Sequence, residues 1–400
     1  MLLLDLTHTS HSRAQTGIQR VVRRLWRELC PPAQALCFDP YRAAWRGLEA
    51  WEMETLSAQS AAWKRRARWP LSARSRGRFW RFCSGLRGGA DSAAKPLPKI
   101  EPGNATALFC PEIFSPAVAR AYPRLYASIA GPRTAVFYDA IPLKFPDLTP
   151  AKVVERFPSY LEQLLAFDGI MAISEESRLT LLDYWRWIGV RDFPVVTAIS
   201  LGSDAAPPAS GLGSLALGPP VVLCVSSIEA RKNHLALLEA CETLWRRNRS
   251  FELHLIGLPR PETGRPALER IASLQRVGRP LRYDGAVEDG AVEAAYAGAA
   301  FTIYPSLIEG SGLPVRESLN RGKACICSGT GALGEIAHGG GCLPLSALDS
   351  DSIAAAIERL LLAPAELAAL SAAARARPLR DWSDVARDIV EWIKTLKVKS

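Results

Sequence analysis

No apolar run in these 400 residues is long enough to cross a bilayer, so no membrane-spanning helix is expected. The opening M-L-L-L-D-L-T-H has no basic segment before its apolar run, and Asp5 cuts that run short. A secretory leader is therefore not expected. Nine cysteines contain no C-x-x-C and no regular spacing, which argues against a disulfide framework or a zinc ribbon. Cys110, Cys224, Cys325 and Cys327 lie in apolar, strand-like runs and read as reduced, buried small hydrophobes. The C-I-C at Cys325 to Cys327 puts two thiols on one strand face, but no further ligand converges on them in sequence. Five scattered histidines, His8 and His11 among them, do not make a metal site. No metal is expected.

What is present is the composition of an ordinary globular chain, 48% hydrophobic and 22% charged, with length for two domains. Its organising stretch is Tyr304 to Gly322, Y-P-S-L-I-E-G-S-G-L-P-V-R-E-S-L-N-R-G. A buried strand, Phe301 to Tyr304, leads into a glycine-bearing loop, and a helix opens near Gly312 or Pro314. Pro314 suits a first helical turn, where its missing N–H has no partner to lose. The free N–H groups of that turn form an anion site. Glu309 and Glu317, eight residues apart, place two acceptor carboxylates beside it. That combination suits a ligand with both phosphate and hydroxyls, such as a nucleotide sugar.

The segment E-G-S-G-L-P-V-R-E resembles the E-x7-E signature of retaining glycosyltransferases of family 4, which have the GT-B fold. The resemblance extends to S-S-I-E-A-R-K-N-H at Ser226 to His234 and more loosely over most of the chain. It implies two Rossmann-like, doubly wound parallel-sheet α/β domains facing a cleft. It also implies that Arg231 and Lys232 hold the donor diphosphate, a task for which a guanidinium fork and a compact ammonium are suited. Glu309 would accept hydrogen bonds from sugar hydroxyls, Glu317 would bind the nucleotide ribose, and Ser311, Gly312 and Leu313 would line the donor site.

In chain order, Leu2 to Leu6 reads as a first strand. Gly17 then opens a helix with Ile18, Val21, Val22, Leu25, Trp26 and Leu29 at helical spacing. By resemblance the Gly17 loop faces the cleft; on the residues alone it equally reads as a simple turn. Between Ser60 and Ala90 stand nine cations, Lys64 to Arg87, with interleaved Trp63, Trp69 and Trp80 and no acid. This basic insertion, about 42–98, suits an anionic membrane surface; a solvated insertion and a nucleic-acid patch are the rival readings. The strand Thr134 to Tyr138 ends in F-Y-D-A-I-P-L-K-F-P, which resembles the family's H-D-x-x-P, with Tyr138 where histidine is usual and Asp139 matching. Asp139 joins Arg231, Lys232 and Glu309 as the expected catalytic set. A helix is expected near Pro116 to Ile129, and Arg231 to Asn233 should open one running to about Arg247.

Leu201 to Pro219, rich in Gly, Ser, Ala and Pro, reads as a linker. The expected domains are 1–205, 206–375 and a final helix, 376–400, returning to the first domain. Gly329 to Gly334 fits G-x-G-x-x-G but occurs late in its domain before a very short helix, and Asp349-Ser350-Asp351 reads as a cap, with Asp351 or Ser352 capping the next helix.

The resemblance thus implies metal-independent, front-face transfer from a nucleotide-diphosphate sugar, with GDP-mannose first by family frequency, and no cofactor. The acceptor would be a saccharide or lipid-linked saccharide, and the enzyme would sit in the cytoplasm, peripheral on the inner membrane face. A sugar-nucleotide epimerase, a glycosyl phosphorylase, or a basic membrane- or nucleic-acid-binding protein with an inactive cleft are the alternatives.

Overall fold

Two parallel α/β sheets, one per lobe, carry the molecule. The computed structural model describes residues 1–14, 16–58, 105–204 and 218–398. The basic stretch 60–90 and most of the expected linker lie outside the described residues. In the first lobe the strands are β1 (Leu2–Asp5), β2 (Gln34–Asp39), β3 (Ala44–Gly47), β4 (Ala107–Cys110), β5 (Arg133–Phe137), β6 (Gly169–Ala172) and β7 (Val195–Ala198). Their order is β3-β2-β1-β4-β5-β6-β7. The second lobe has β8 (Val221–Val225), β9 (Glu252–Ile256), β10 (Leu281–Tyr283), β11 (Phe301–Tyr304), β12 (Cys325–Ser328) and β13 (Cys342–Leu345). Their order is β10-β9-β8-β11-β12-β13. Central strands such as β4, β6, β11 and β12 are buried throughout, because helices cover both faces.

Each sheet reverses direction beside its first strand, between β1 and β4 and between β8 and β11. The crevice beyond the carboxyl ends of such strands is where open α/β sheets bind ligands. That geometry puts the loops after β1, β4, β8 and β11 in the positions that matter.

Three local features differ from expectation. One edge is not parallel: β3 runs antiparallel to β2, joined by a tight turn in which Asp39 Oδ1 accepts from the amides of Tyr41 and Arg42. The segment expected as a single helix over 116–129 is two short ones, Pro116–Ala119 and Tyr122–Tyr126, with Pro123 in the first turn of the second. A proline there cannot donate to the preceding turn, so the helix restarts. The cap before Ser350–Leu362 is Asp349, whose Oδ1 accepts from Ser352 N at 2.8 Å.

The helix Trp382–Thr395 starts with a capping box of Asp381 and Asp384. It buries Val385, Ile389, Trp392 and Ile393 among Leu4, Val21, Leu25 and Met171 of the first lobe. Burial of each such side chain contributes about 1.5–3 kcal/mol. Asp204 ties this helix to the first, accepting from Trp382 Nε1 at 3.0 Å and from Arg24 at 2.7 Å.

Candidate active site

The two cations of R-K-N do not sit on a helix. Ala230–Lys232 is a single 3-10 turn, Asn233 adopts the left-handed conformation at φ 59°, and the α-helix begins at His234. Asparagine tolerates that conformation better than most residues, and the turn stops short of a helix there. The turn follows β8 and is anchored to the loop after β11: Leu307 N donates to Arg231 O at 2.8 Å. Arg231 and Lys232 are thereby aimed at Glu309.

Glu309 is the centre of the cluster. Its Oε2 accepts from Arg231 at 2.8 Å, and its Oε1 accepts from Ser306 Oγ at 2.8 Å and from Lys232 Nζ. Arg231 also meets Glu229 at 2.7 Å. The Glu309 side chain is 10% exposed. Burial alone would push its carboxyl up, but the charges of Lys232 and Arg231 and the hydrogen bonds from Lys232 and Ser306 outweigh this and lower it to about 2. Burial works against the Arg231 cation, and Glu309 and Glu229 more than compensate, so its pKa rises.

Asp139 arrives from the other lobe, just past the end of β5. Its carboxyl is pushed up by burial, with the Glu309 charge adding to the rise, and is eased by the Ile141 amide and Arg231. Ile141 N donates to Asp139 Oδ1 at 3.1 Å. A Cβ on Gly310 would stand 3.0 Å from Asp139 Oδ2 and 3.2 Å from Tyr138 O, so glycine lets the second-lobe loop lie directly on the first. Tyr138 is buried and donates to Pro111 O at 2.7 Å. The tyrosine that stands in the usual histidine position is therefore tied into the first-lobe framework.

The remaining sequence-nominated residues separate from this cluster. Gly312, at φ 64°, caps the helix Leu313–Asn320, with Pro314 in its first turn. Ser311 is half-buried beside it, and Leu313 packs against the first-lobe core. The Glu317 carboxylate faces Arg20 of the first lobe, an ion pair with Glu317 14% exposed. Gly17 is exposed at the start of the helix that carries Arg20, with open space where a Cβ would be. The cations thus meet Glu309, with Asp139 nearby, while Glu317 and the Gly17 turn form a second patch along the same seam.

Several participants carry no role in the sequence reading, although G-E-I at Gly334 to Ile336 resembles the family's loop there. Ser306, in Y-P-S, is one of them. Arg20 stands in G-I-Q-R, and nothing local marks it as the partner of a residue 297 positions away. Glu335 reaches from the second lobe to the amino end of the helix Glu175–Trp187, accepting from Glu176 N at 2.6 Å and Glu175 N at 3.1 Å. A cavity of about 450 Å3 opens between the lobes, reached by Glu309 and Ser306 on one side and by Lys144, Phe145 and Glu176 on the other. Away from the seam, the pairing of β12 with β13 sets Cys342 beside Cys325, and with Cys327 the three sulfurs lie within 4.8 Å of one another.

Residues 219–363, most of the second lobe, match the family model Glycosyl transferases group 1. The chain is 25% identical over 358 residues to the serotype-specific mannosyltransferase WbdA of Escherichia coli; the match takes in 84% of this chain and 40% of that protein. It is 29% identical over 233 residues to the O-antigen chain mannosyltransferase B of Escherichia coli, covering 55% of this chain and 59% of the relative. The chain thus spans less than half the length of WbdA. Among solved structures, HepE of Anabaena in complex with UDP superposes with a TM-score of 0.66 at 14% identity, over 99% of both chains. The sucrose-phosphate synthase of Thermosynechococcus elongatus superposes with a TM-score of 0.62 at 15% identity, over 98% of both. With two facing parallel-sheet lobes that superpose on these structures over nearly their whole length, the chain has the GT-B fold, and its second lobe is similar to the group 1 glycosyl transferases.

Proposed function

We propose that this protein transfers a sugar, mannose as first choice, from a nucleotide-diphosphate donor to a saccharide acceptor with retention at the anomeric carbon. The observation that carries the reading is the convergence of Arg231, Lys232 and Ser306 on buried Glu309 at the mouth between the lobes. Two cations and an ionised carboxylate side by side can grip a diphosphate and accept from sugar hydroxyls. Lys232 spends one of its three N–H donors on Glu309, which leaves others for phosphate oxygens. The relatives named as mannosyltransferases support mannose, and the O-antigen relative supports a polysaccharide acceptor.

In the proposed reaction the bond from the anomeric carbon to the distal phosphate oxygen breaks. The acceptor hydroxyl oxygen bonds to that carbon on the same face, and its proton passes to the departing phosphate oxygen. Arg231 and Lys232 stabilise the charge on the leaving diphosphate, the electrostatic preorganisation that contributes most in such sites. Glu309 orients the sugar, Glu317 holds the ribose once Arg20 yields it, and Asp139 faces the reacting sugar from the first lobe. In this reading the cationic side chains do the work that a divalent metal does elsewhere, and transfer is insensitive to chelator. The basic stretch 60–90 would hold the enzyme on the inner, anionic face of a membrane, which flotation with anionic vesicles tests.

The deciding experiment is a thermal-shift screen of the purified chain against GDP, UDP, dTDP and their sugars, because a tight ligand raises the melting temperature by mass action. Stabilisation by GDP and GDP-mannose, followed by an axial mannoside product in NMR, is the expected outcome. No response to any nucleotide would defeat the reading.

A further inference from the structure

The outer edge of the second-lobe sheet gathers three thiols. β13 is the end strand, and its register with β12 sets Cys342 opposite Cys325. Cys325 and Cys327, two apart on β12, point to one face of the sheet. Strand pairing thus supplies the third thiol that C-I-C lacks in sequence. The three sulfurs lie within 4.8 Å of one another. One ion with trigonal bonds of about 2.3 Å holds its sulfurs roughly 4.0 Å apart, so a single ion can bridge all three with little movement. Cys325 and Cys327 have no exposed surface, and Cys342 is 7% exposed. Residues 339–341, all glycine, lead from the surface to Cys342 and carry no side chains of their own.

A charge count narrows the ion. Arg377 donates to Ile336 O at 2.9 Å and to Gly340 O at 2.8 Å, two residues before Cys342. Hydrogen bonds from Cys325 and Cys327, helped by the Arg377 charge, hold the Cys342 thiol below its usual range against burial. Burial pushes Cys325 up, but a coordinating ion deprotonates a thiol outright. Three thiolates, one divalent ion and the Arg377 guanidinium sum to zero charge, which a buried site requires. A monovalent copper ion would leave one negative charge uncompensated. Sulfur ligands favour soft or borderline ions over magnesium and calcium. We infer that Cys325, Cys327 and Cys342 form a binding site for one divalent thiophilic ion, zinc or cadmium, which staples the edge strand β13 to β12. The thiol protons leave to solvent as the ion binds. The site shares no residue with the Glu309 cluster and does not depend on the transfer reading.

Cadmium is the probe, because its thiolate complexes absorb in the ultraviolet. The reduced full chain, kept free of oxygen, is titrated with cadmium chloride and followed by absorbance and by thermal melting. The parent should take up cadmium with the absorbance of a three-thiolate complex, and its melting temperature should rise by mass action. Cys342→Ser should weaken uptake at least about tenfold, and Arg377→Gln should weaken it by less. Cys37→Ser removes the thiol of a second cluster, His11, Cys37 and Glu52, that could hold an ion, and it should bind like the parent. Circular dichroism of the metal-free variants shows that they fold. The inference is overturned if the parent takes up no cadmium, if Cys342→Ser binds it like the parent, or if Cys37→Ser is the variant that loses it. Should Cys342→Ser not fold, undiminished uptake by Arg377→Gln is the overturning result.

Discussion

Glu112 and Glu309 occupy matching places in the two lobes. Each follows a central strand at the switch point of its sheet, β4 in one and β11 in the other, and each is largely buried. Their partners differ in kind. Glu112 accepts from main chain that the lobe itself supplies, the amides of His8 and Thr9, both at 2.6 Å. Burial, with Asp5 adding repulsion, pushes its carboxyl up to about 8 against those hydrogen bonds. Glu309 has two cations and sits near 2. One carboxyl fastens the loop after β1 through two amides, with Arg23 of the same lobe as a nearby cation. The other is held by groups that a diphosphate also wants, so its contacts are exchangeable. In the proposed reading, identical side chains at equivalent topological positions give a strut in one lobe and a ligand-responsive site in the other.

Lys232→Ala should break the contrast most severely. It leaves Glu309 with Arg231 alone, and transfer should fall at least about tenfold, read as kcat/KM with the preferred donor. Glu309→Gln should do the same, whereas Glu112→Gln should leave donor affinity untouched. Normal transfer by Lys232→Ala would place the reacting centre elsewhere.

Glu112→Gln should instead show in stability. A glutamine oxygen serves one loop amide well and the other poorly, a loss of about 1 kcal/mol, measurable by urea denaturation at pH 6.

Opposite pH dependences sharpen the comparison. Glu112 has a folded pKa above its unfolded value of 4.5, so its contribution is full below pH 4.5 and is lost as pH rises toward 8. Glu309 has a folded pKa below 4.5, so its contribution is present above pH 4.5 and is lost as pH falls toward 2. Glu112→Gln should flatten the decline in melting temperature between pH 5 and 8, and Glu309→Gln should flatten the acid limb. An unchanged profile in either variant would contradict the corresponding assignment.

The smallest effect belongs to Arg20→Ala. Its guanidinium is 45% exposed, and exposed ion pairs of this kind contribute about 0–1 kcal/mol. Stability should scarcely change, while nucleotide affinity should rise if Arg20 competes for Glu317.

The buried strands are legible because helices on both faces leave them few polar positions, as in V-V-L-C-V at β8 and F-T-I-Y at β11, where the two hydroxyls, Thr302 and Tyr304, bond Ser318 and Tyr296 inside the core. The helix start at Pro314 is legible because such signals are local chemistry. Pairings between distant segments are not. Cys342 reaches Cys325 through strand register, and Arg20 reaches Glu317 through the packing of two lobes; neither leaves a trace in local spacing. The meeting of Arg231 and Lys232 with Glu309 came from resemblance to a family rather than from the residues. The turn that makes it, ended by Asn233 in a left-handed conformation, was read as a helix because its cations run straight into an apolar periodic stretch.

Glu335 clasps the opposite lobe by two peptide N–H groups, not by a side chain. Main chain has no alphabet. Whatever amino acids stand at 175 and 176, proline aside, the receiving half of that clasp persists, and the strength of this one contact is written at position 335. An engineer can release this clasp with one codon, and can change the side chains at 175 and 176 while keeping it.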